Sequence, residues 1–354
     1  MTPIIQLGLG GVGRALVRQM LAVTSTIRRR YGIDLRYTAL VDSRGALAGD
    51  PALTDDQIQT VLTAKAAGYH IDSLAHAITD RHWLELLPAT MAIVVDVTAA
   101  GSHAAPLAAA ISAGHRVVLA NKRPLCESYE LFAALTERGA TRYEATVGAG
   151  LPVIGVLQSL IDSGDEVRAI EAALSGTLGF LMSELERGVG FADAVRTAHQ
   201  LGYTEPDPRD DLSGADVARK ALILARTCGM QLPPDAVTAE PLFPATLKEI
   251  GVTEFLQRLE EAEHEVMNRL QVAKASGKVL RYITRISPAN GVEVGLRELP
   301  TDHPLASLRG PDNMISFTTN RYADCPLVVR GPGAGVEVTA AGVLSDIIAT
   351  AREL

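Results

Sequence analysis

The chain has 354 residues, 33 basic against 41 acidic side chains for a formal charge of −8, and 47% hydrophobic residues. This length exceeds what one core usually supports, so more than one domain is expected, and the apolar content excludes disorder as the dominant state. Net acidity, with no basic run beyond Arg28, Arg29 and Arg30, argues against nucleic acid as a partner, and no charge-free apolar stretch reaches the ~18 residues that span a bilayer.

Ile4, Ile5, Gln6 and Leu7 read as a short buried strand. The start lacks the basic segment of a signal peptide, so a cytoplasmic protein is expected. Gly8-Leu9-Gly10-Gly11-Val12-Gly13 follows at once, then a helically spaced run from Arg14. Residues 35–41 form a second strand ending at Asp42, residues 91–97 a third, and residues 116–120 a fourth after an alanine-rich helix near 105–113. Strands that alternate with helices and are apolar on both faces imply a parallel sheet covered on both sides. Residues 1–145 are therefore expected to be a Rossmann-type, doubly wound domain.

A glycine turn between strand and helix allows the tight turn at Gly8, close approach of a pyrophosphate at Gly10 and Gly11, and close helix packing at Gly13, with Val12 among the contacts. Its position makes dinucleotide binding the favoured reading over a ligand-free turn. Asp42 lies further past Gly13 than the usual interval of about 20 residues, because the first helix and the loop after it are long. A carboxylate there suits a free ribose 2′-hydroxyl and slightly favours NAD. Arg44, two residues on, offers a partner for the extra phosphate of NADP. Thr98, Ala99, Ala100, Asn121 and Lys122 fall just past strand carboxyl ends, where open α/β sheets hold ligands; an exposed loop lysine is the alternative for Lys122. His103 and His115 lack metal-ligand spacing and are expected to be structural or surface residues.

Beyond Gly148 the pattern changes to an α+β arrangement. A long polar helix is expected over roughly 253–276, and alternation at 278–286 and 291–296 predicts antiparallel strands. A second glycine-rich loop, residues 331–335, opens a helix over about 338–352. In residues 202–212 two prolines among acids predict a stiff loop without helix. The helix after it carries Asp216 and Lys220 at i and i+4. Ile223, Leu224 and Thr227 share the lysine's face, with Val217 beside it, whereas Arg219 and Arg226 lie on another side. A lysine on an apolar stripe needs a partner or a proton-transfer task, since burying its charge alone costs several kcal/mol. The competing reading is an ordinary exposed ion pair. Glu144 and the glycine-rich turn to Gly150 offer oxygen ligands to a hard cation, or simply a hinge.

Together these motifs resemble homoserine dehydrogenase, in the short form without aspartokinase or ACT domain. The match takes in residues 8–13, 120–122, 144–152, 174–178, 201–220, 303–310 and 331–346. Its most specific part is Gly-Tyr-Thr-Glu-Pro-Asp-Pro-Arg-Asp-Asp-Leu-Ser-Gly followed by Asp-Val-Ala-Arg-Lys. The resemblance implies interconversion of L-homoserine and L-aspartate 4-semialdehyde with NAD or NADP, in threonine, methionine and isoleucine biosynthesis. Lys220 would be the general acid/base, with Asp216 and Lys122 catalytic beside it. Glu205, Asp211, Asp216 and Tyr203 would bind substrate. Thr98, Ala99, Lys122, Glu205 and Gly335 would join the glycine turn, Asp42 and Arg44 at the cofactor. Glu144, Val147, Ala149 and Leu151 would hold a monovalent cation such as sodium. Segment 322–354 would complete the first domain, leaving 146–321 as the catalytic and dimerisation domain of a homodimer.

Two other functions fit parts of the same pattern less well. Aspartate-semialdehyde dehydrogenase needs an activated cysteine, and Cys126 has no identified base; the three cysteines also lie too far apart in sequence for a CxxC pair. A catalytically silent NAD(P)-binding or sensing protein of the same fold would have no need of Lys220 with Asp216.

Overall fold

Apolar strands without a polar face can be stable only between two layers of helices, and the first part of the chain folds that way. The computed structural model describes residues 1–99, 101 and 103–354, so Ala100 lies outside the described residues. Strands β1 (Thr2–Leu7), β2 (Leu35–Asp42), β3 (Gly45–Ala48), β4 (Ile93–Asp96), β5 (Arg116–Leu119) and β6 (Thr141–Arg142) form one sheet in the order β3-β2-β1-β4-β5-β6. All neighbours are parallel except β3, which folds back antiparallel on β2. Helices α1 (Gly11–Tyr31), α2 (Asp55–Ala66), α3 (Ala104–Ser112), α4 (Tyr129–Thr136) and the C-terminal helix (Val336–Arg352) belong to this unit. Ile4, Leu16, Met20, Leu40, Val95, Val343 and Ile347 share one core. Each such side chain removed from water contributes about 1.5–3 kcal/mol.

The chain divides into two units, Met1–Gly150 with Ala334–Leu354, and Leu151–Gly333. The return to the first unit thus begins at Ala334 rather than at residue 322. The reason is hydrogen bonding: β11 (Leu327–Pro332) runs antiparallel along β10 (Asp312–Thr319), which keeps it in the second unit.

The second unit is built on an antiparallel sheet, β11-β10-β7-β8-β9, completed by β7 (Val167–Ala173), β8 (Lys278–Ser287) and β9 (Gly291–Pro300). Its helices are α5 (Ile154–Asp162), α6 (Gly176–Glu186), α7 (Phe191–Gln200), α8 (Pro208–Leu212), α9 (Ala215–Thr227), α10 (Val252–Gln257) and α11 (Glu260–Ala275). A cluster of Ala173, Ile283, Leu299, Leu305, Leu308 and Met314 forms a core on this sheet. No helix among the described residues is long and apolar enough to cross a membrane.

Two expectations change. The polar helix near 253–276 is two helices, broken after Gln257, and the break lets Phe255 and Leu259 both reach zero exposure. The proline-rich segment does contain helix, the single turn α8, because Pro208 occupies a first-turn position where no N–H is needed and Asp207 caps it by accepting from the Arg209 N–H. Arg226, on another side of α9 from Lys220, is buried as well. It donates through Nε and Nη2 to the Leu232 carbonyl at 3.0 and 2.7 Å.

Candidate active site

In the second unit the site is built where β7 runs into α6 and where the proline-rich segment runs into α9. Gly214 caps α9 with φ +69°, and a Cβ there would meet the Tyr282 hydroxyl at 2.1 Å, so only glycine lets the helix start here. From that start the helix carries Val217, Ala221, Leu222, Ile223, Leu224 and Ala225 into the core, and Lys220 is buried with them. Its Nζ is fixed by two acceptors: Asp216 Oδ2 at 2.9 Å and the Leu174 carbonyl at 2.7 Å. The lysine side chain is 11% exposed and Asp216 is 42% exposed, so the pair has a buried cation and a carboxylate open to water. The ordinary surface ion pair considered from sequence is thereby excluded.

Beside it, Thr177 in the first turn of α6 contacts two groups. Its hydroxyl lies 2.6 Å from the Tyr203 carbonyl and 2.9 Å from Asp211 Oδ1, while Asp211 Oδ2 accepts from the Glu205 N–H at 2.8 Å. Burial pushes the Asp211 carboxyl above its ordinary range, against the Glu205 and Thr177 hydrogen bonds, and the Asp210 and Asp216 charges add to the push. Tyr203 stacks edge-on with Phe180 at 5.0 Å, with its ring half exposed. The structure therefore brings Asp216 and Lys220 into direct contact, and Glu205, Asp211 and Tyr203 into one hydrogen-bonded loop. Leu174 and Thr177 fall in the matched stretch 174–178, but the sequence gives neither a role in the site. A backbone carbonyl carries no sequence signal, although Ser175 as the cap of α6 marks the junction.

In the first unit the glycine turn leaves β1 with Gly8 at φ +101°, where an added Cβ would meet the Val97 backbone at 2.9 Å. At Gly13 a Cβ would fall 2.2 Å from the Gly8 carbonyl oxygen, whereas Gly10 faces open space within 4 Å. The turn therefore closes on itself and leaves room above Gly10, a cradle that fits a pyrophosphate at the start of α1. Next to it, Asp96 is fully buried at the end of β4. Its Oδ1 accepts from the Thr98 N–H and hydroxyl at 2.9 and 2.7 Å, and its Oδ2 from Asn121 Nδ2 at 3.1 Å. His103 Nδ1 lies 3.3 Å from the same oxygen, and that carboxylate raises the imidazole above its usual range against the effect of burial. His115 Nδ1 accepts from the Ala92 N–H at 3.1 Å. Lys122 is half-buried, Ala99 is exposed, and Gly335 caps the C-terminal helix at φ +123°.

Asp42 stands at the end of β2, yet its carboxylate faces inward. Oδ2 accepts from Lys65 Nζ at 2.8 Å and the Ile71 N–H at 3.0 Å, and Oδ1 from the Arg44 N–H at 2.9 Å. Burial alone would raise this carboxyl, but the Lys65, Arg44 and Ile71 contacts hold it below the ordinary range. Arg44 is largely exposed, 3.9 Å from Asp72. Glu144 donates its N–H to Asp346 Oδ2 at 2.9 Å, and burial, with the Glu144 charge adding, pushes the Asp346 carboxyl up to about 7. Val147 and Ala149 are buried in the turn after it, where Gly148 and Ala149 take left-handed φ of +85° and +57°. Leu151 opens the second unit.

Comparisons with known proteins agree with this geometry. A family model described as "Homoserine dehydrogenase" matches residues 152–348, and one described as "Homoserine dehydrogenase, NAD binding domain" matches residues 8–144. A homoserine dehydrogenase of Emericella nidulans is 36% identical over 366 residues, covering 98% of both chains. The bifunctional aspartokinase/homoserine dehydrogenase 2 of Zea mays is 39% identical over 98% of this chain, which spans 38% of that longer protein. Among solved structures, a Candida auris protein described as of unknown function superposes with a TM-score of 0.86 at 33% identity, over 98% of this chain and 97% of its own. A hyperthermophilic archaeal homoserine dehydrogenase in complex with NADPH gives 0.73 at 26% identity, over 100% and 98%.

Proposed function

This chain belongs to the homoserine dehydrogenase family, and on that premise we propose that it interconverts L-homoserine and L-aspartate 4-semialdehyde with NAD or NADP, supplying threonine, methionine and isoleucine synthesis. The observation that carries the reading is the buried Lys220 ammonium, held between Asp216 and the Leu174 carbonyl. The dinucleotide, cradled by Gly8, Gly10, Gly11, Val12 and Gly13 with Thr98, Ala99, Lys122, Glu205 and Gly335, supplies or accepts the hydride when bound. Lys220 does the proton work at the substrate oxygen. In the reductive direction the ammonium stabilises the developing alkoxide and donates a proton to it; in the oxidative direction the neutral amine takes the hydroxyl proton and becomes the ammonium. Asp216 fixes the amine and stays in water on its other side. Asp211, Glu205 and Tyr203 bind the amino-acid end of the substrate, and the family resemblance makes Lys122 the second catalytic lysine. A silent cofactor-binding protein would gain nothing from keeping a desolvated lysine.

Cofactor choice follows from Asp42. Because Lys65 already neutralises its carboxylate, its repulsion of a 2′-phosphate is weaker than that of a free acid, and Arg44 stands two residues away. Both cofactors are accepted on this reading, with a modest bias to NAD. The donors of Glu144, Val147, Ala149 and Leu151 are oxygens only, which suits a hard cation such as sodium. A homodimer in the cytoplasm completes the proposal. Its support is the edge strand β11, last in the order of the second sheet, with Val328 exposed on it.

The direct test is homoserine-dependent formation of NADH or NADPH by purified protein. Turnover is expected, and cofactor binding without any turnover contradicts it. Lys220→Ala is expected to lower turnover about 10²-fold or more, the range for a positioned acid/base, with cofactor affinity nearly unchanged; wild-type rates in that variant refute the assignment. Asp42→Asn releases Lys65 and is expected to move the NADP-to-NAD ratio of kcat/KM about tenfold towards NADP, the scale of one charge-assisted hydrogen bond. An unaltered ratio removes Asp42 from the ribose subsite. Exchanging sodium for tetramethylammonium should lower homoserine turnover, and identical rates in both would discard the cation. Light scattering at the mass of one chain would discard the dimer.

A further inference from the structure

Beneath the glycine turn lie two side chains that the proposed chemistry does not use. Gln6 is fully buried on β1, between Ile5 and Leu7, in a strand with apolar surroundings on both faces. A primary amide is unfavourable there unless each polar atom is matched. All of them are. Gln6 Nε2 donates to the Gly8 carbonyl and to the Gly13 carbonyl, both at 3.0 Å, and Tyr37 Oη on β2 donates to Gln6 Oε1 at 2.8 Å. The amide orientation is dictated chemically: carbonyls only accept, so the nitrogen must face the glycines and the oxygen must face the phenol. Tyr37 is 2% exposed, and burial raises its phenol far above the usual range, so it remains a neutral donor.

The consequence reaches the ligand side of the turn. In a trans peptide the carbonyl and the following N–H point opposite ways. Tying the Gly8 carbonyl down to Gln6 therefore turns the Leu9 N–H outward. The second tie, to Gly13, joins the same amide to the first turn of α1, whose backbone approaches the Gly8 oxygen too closely for any side chain. One buried amide thus couples the strand end and the helix start, the two halves of an anion-binding turn.

We propose that Gln6 is a positioning residue for dinucleotide binding, preorganising the glycine turn, and that Tyr37 acts through it by locking the amide. The inference rests on the dinucleotide-binding reading of that turn. Replacing Gln6 by methionine keeps the volume and removes the ties; replacing Tyr37 by phenylalanine removes only the hydroxyl.

The test is equilibrium binding of NADH and NADPH to wild type, Gln6→Met, Tyr37→Phe and the double variant, beside thermal melts and steady-state kinetics. Gln6→Met is expected to weaken cofactor binding about tenfold or more, and Tyr37→Phe about threefold to tenfold, each the scale of one or two neutral hydrogen bonds. The double variant should match Gln6→Met within about twofold, since Tyr37 works through Gln6. KM for homoserine and kcat at saturating cofactor should stay within about twofold of wild type, a split that general destabilisation does not produce. Unchanged cofactor affinity in folded Gln6→Met overturns the proposal, and independent, multiplying losses overturn the role of Tyr37. If Gln6→Met does not fold, Tyr37→Phe decides alone, and wild-type affinity in it is a refutation. Failure of wild type itself to bind either cofactor would instead overturn the dinucleotide reading.

Discussion

A positive charge removed from water has to be matched by the protein, and the site in the second unit is organised around that requirement at Lys220. Two acceptors meet the ammonium, one ionised and one a backbone carbonyl at a strand end. Taking either away weakens the compensation of a buried charge, which is unfavourable wherever a cation leaves water. The arrangement holds the nitrogen in one place, which is what acid/base work demands: reach first, then proton affinity. It also explains the local fold. A left-handed cap at Gly214 starts α9 at the register that sends Lys220 inward, and the β7–α6 junction presents the Leu174 carbonyl to it.

The first unit applies the same rule to other buried polar groups. Gln6 and Asp96 are both fully buried polar residues on adjacent parallel strands, β1 and β4, and both direct their atoms to backbone or side chains at the carboxyl edge of the sheet. Each fixes a loop that free rotation would otherwise blur: the glycine turn in one case, Thr98 and Asn121 in the other. Buried polar networks with every member satisfied rigidify their surroundings. At a dinucleotide site that rigidity reduces the ordering cost of binding.

Much of this was legible before any coordinates. Strands around Ile4–Leu7, residues 35–42 and 116–119, the helix after the glycine turn and the i, i+4 relation of Asp216 and Lys220 follow from periodicity and spacing alone. Boundaries and local exceptions did not. Pro208 reads as a breaker until its first-turn position is known, and β11 lacks an alternation strong enough to distinguish it from the loop that follows. Asp42 illustrates a deeper limit, because sequence position cannot say which way a carboxylate turns, and Lys65 lies a full helix away in the chain. Gln6 did carry a signal: one amide in an otherwise apolar strand, two residues before the glycines, demands a reason.

The most direct measurement of the central claim is chemical rescue of Lys220→Ala by added primary amines. If the lysine amine transfers the proton, homoserine-dependent NAD(P)H formation returns with amine concentration, and the rescued rate tracks amine basicity. A variant that stays equally inactive with every amine, or recovers as well with a non-basic solute of the same size, contradicts the account.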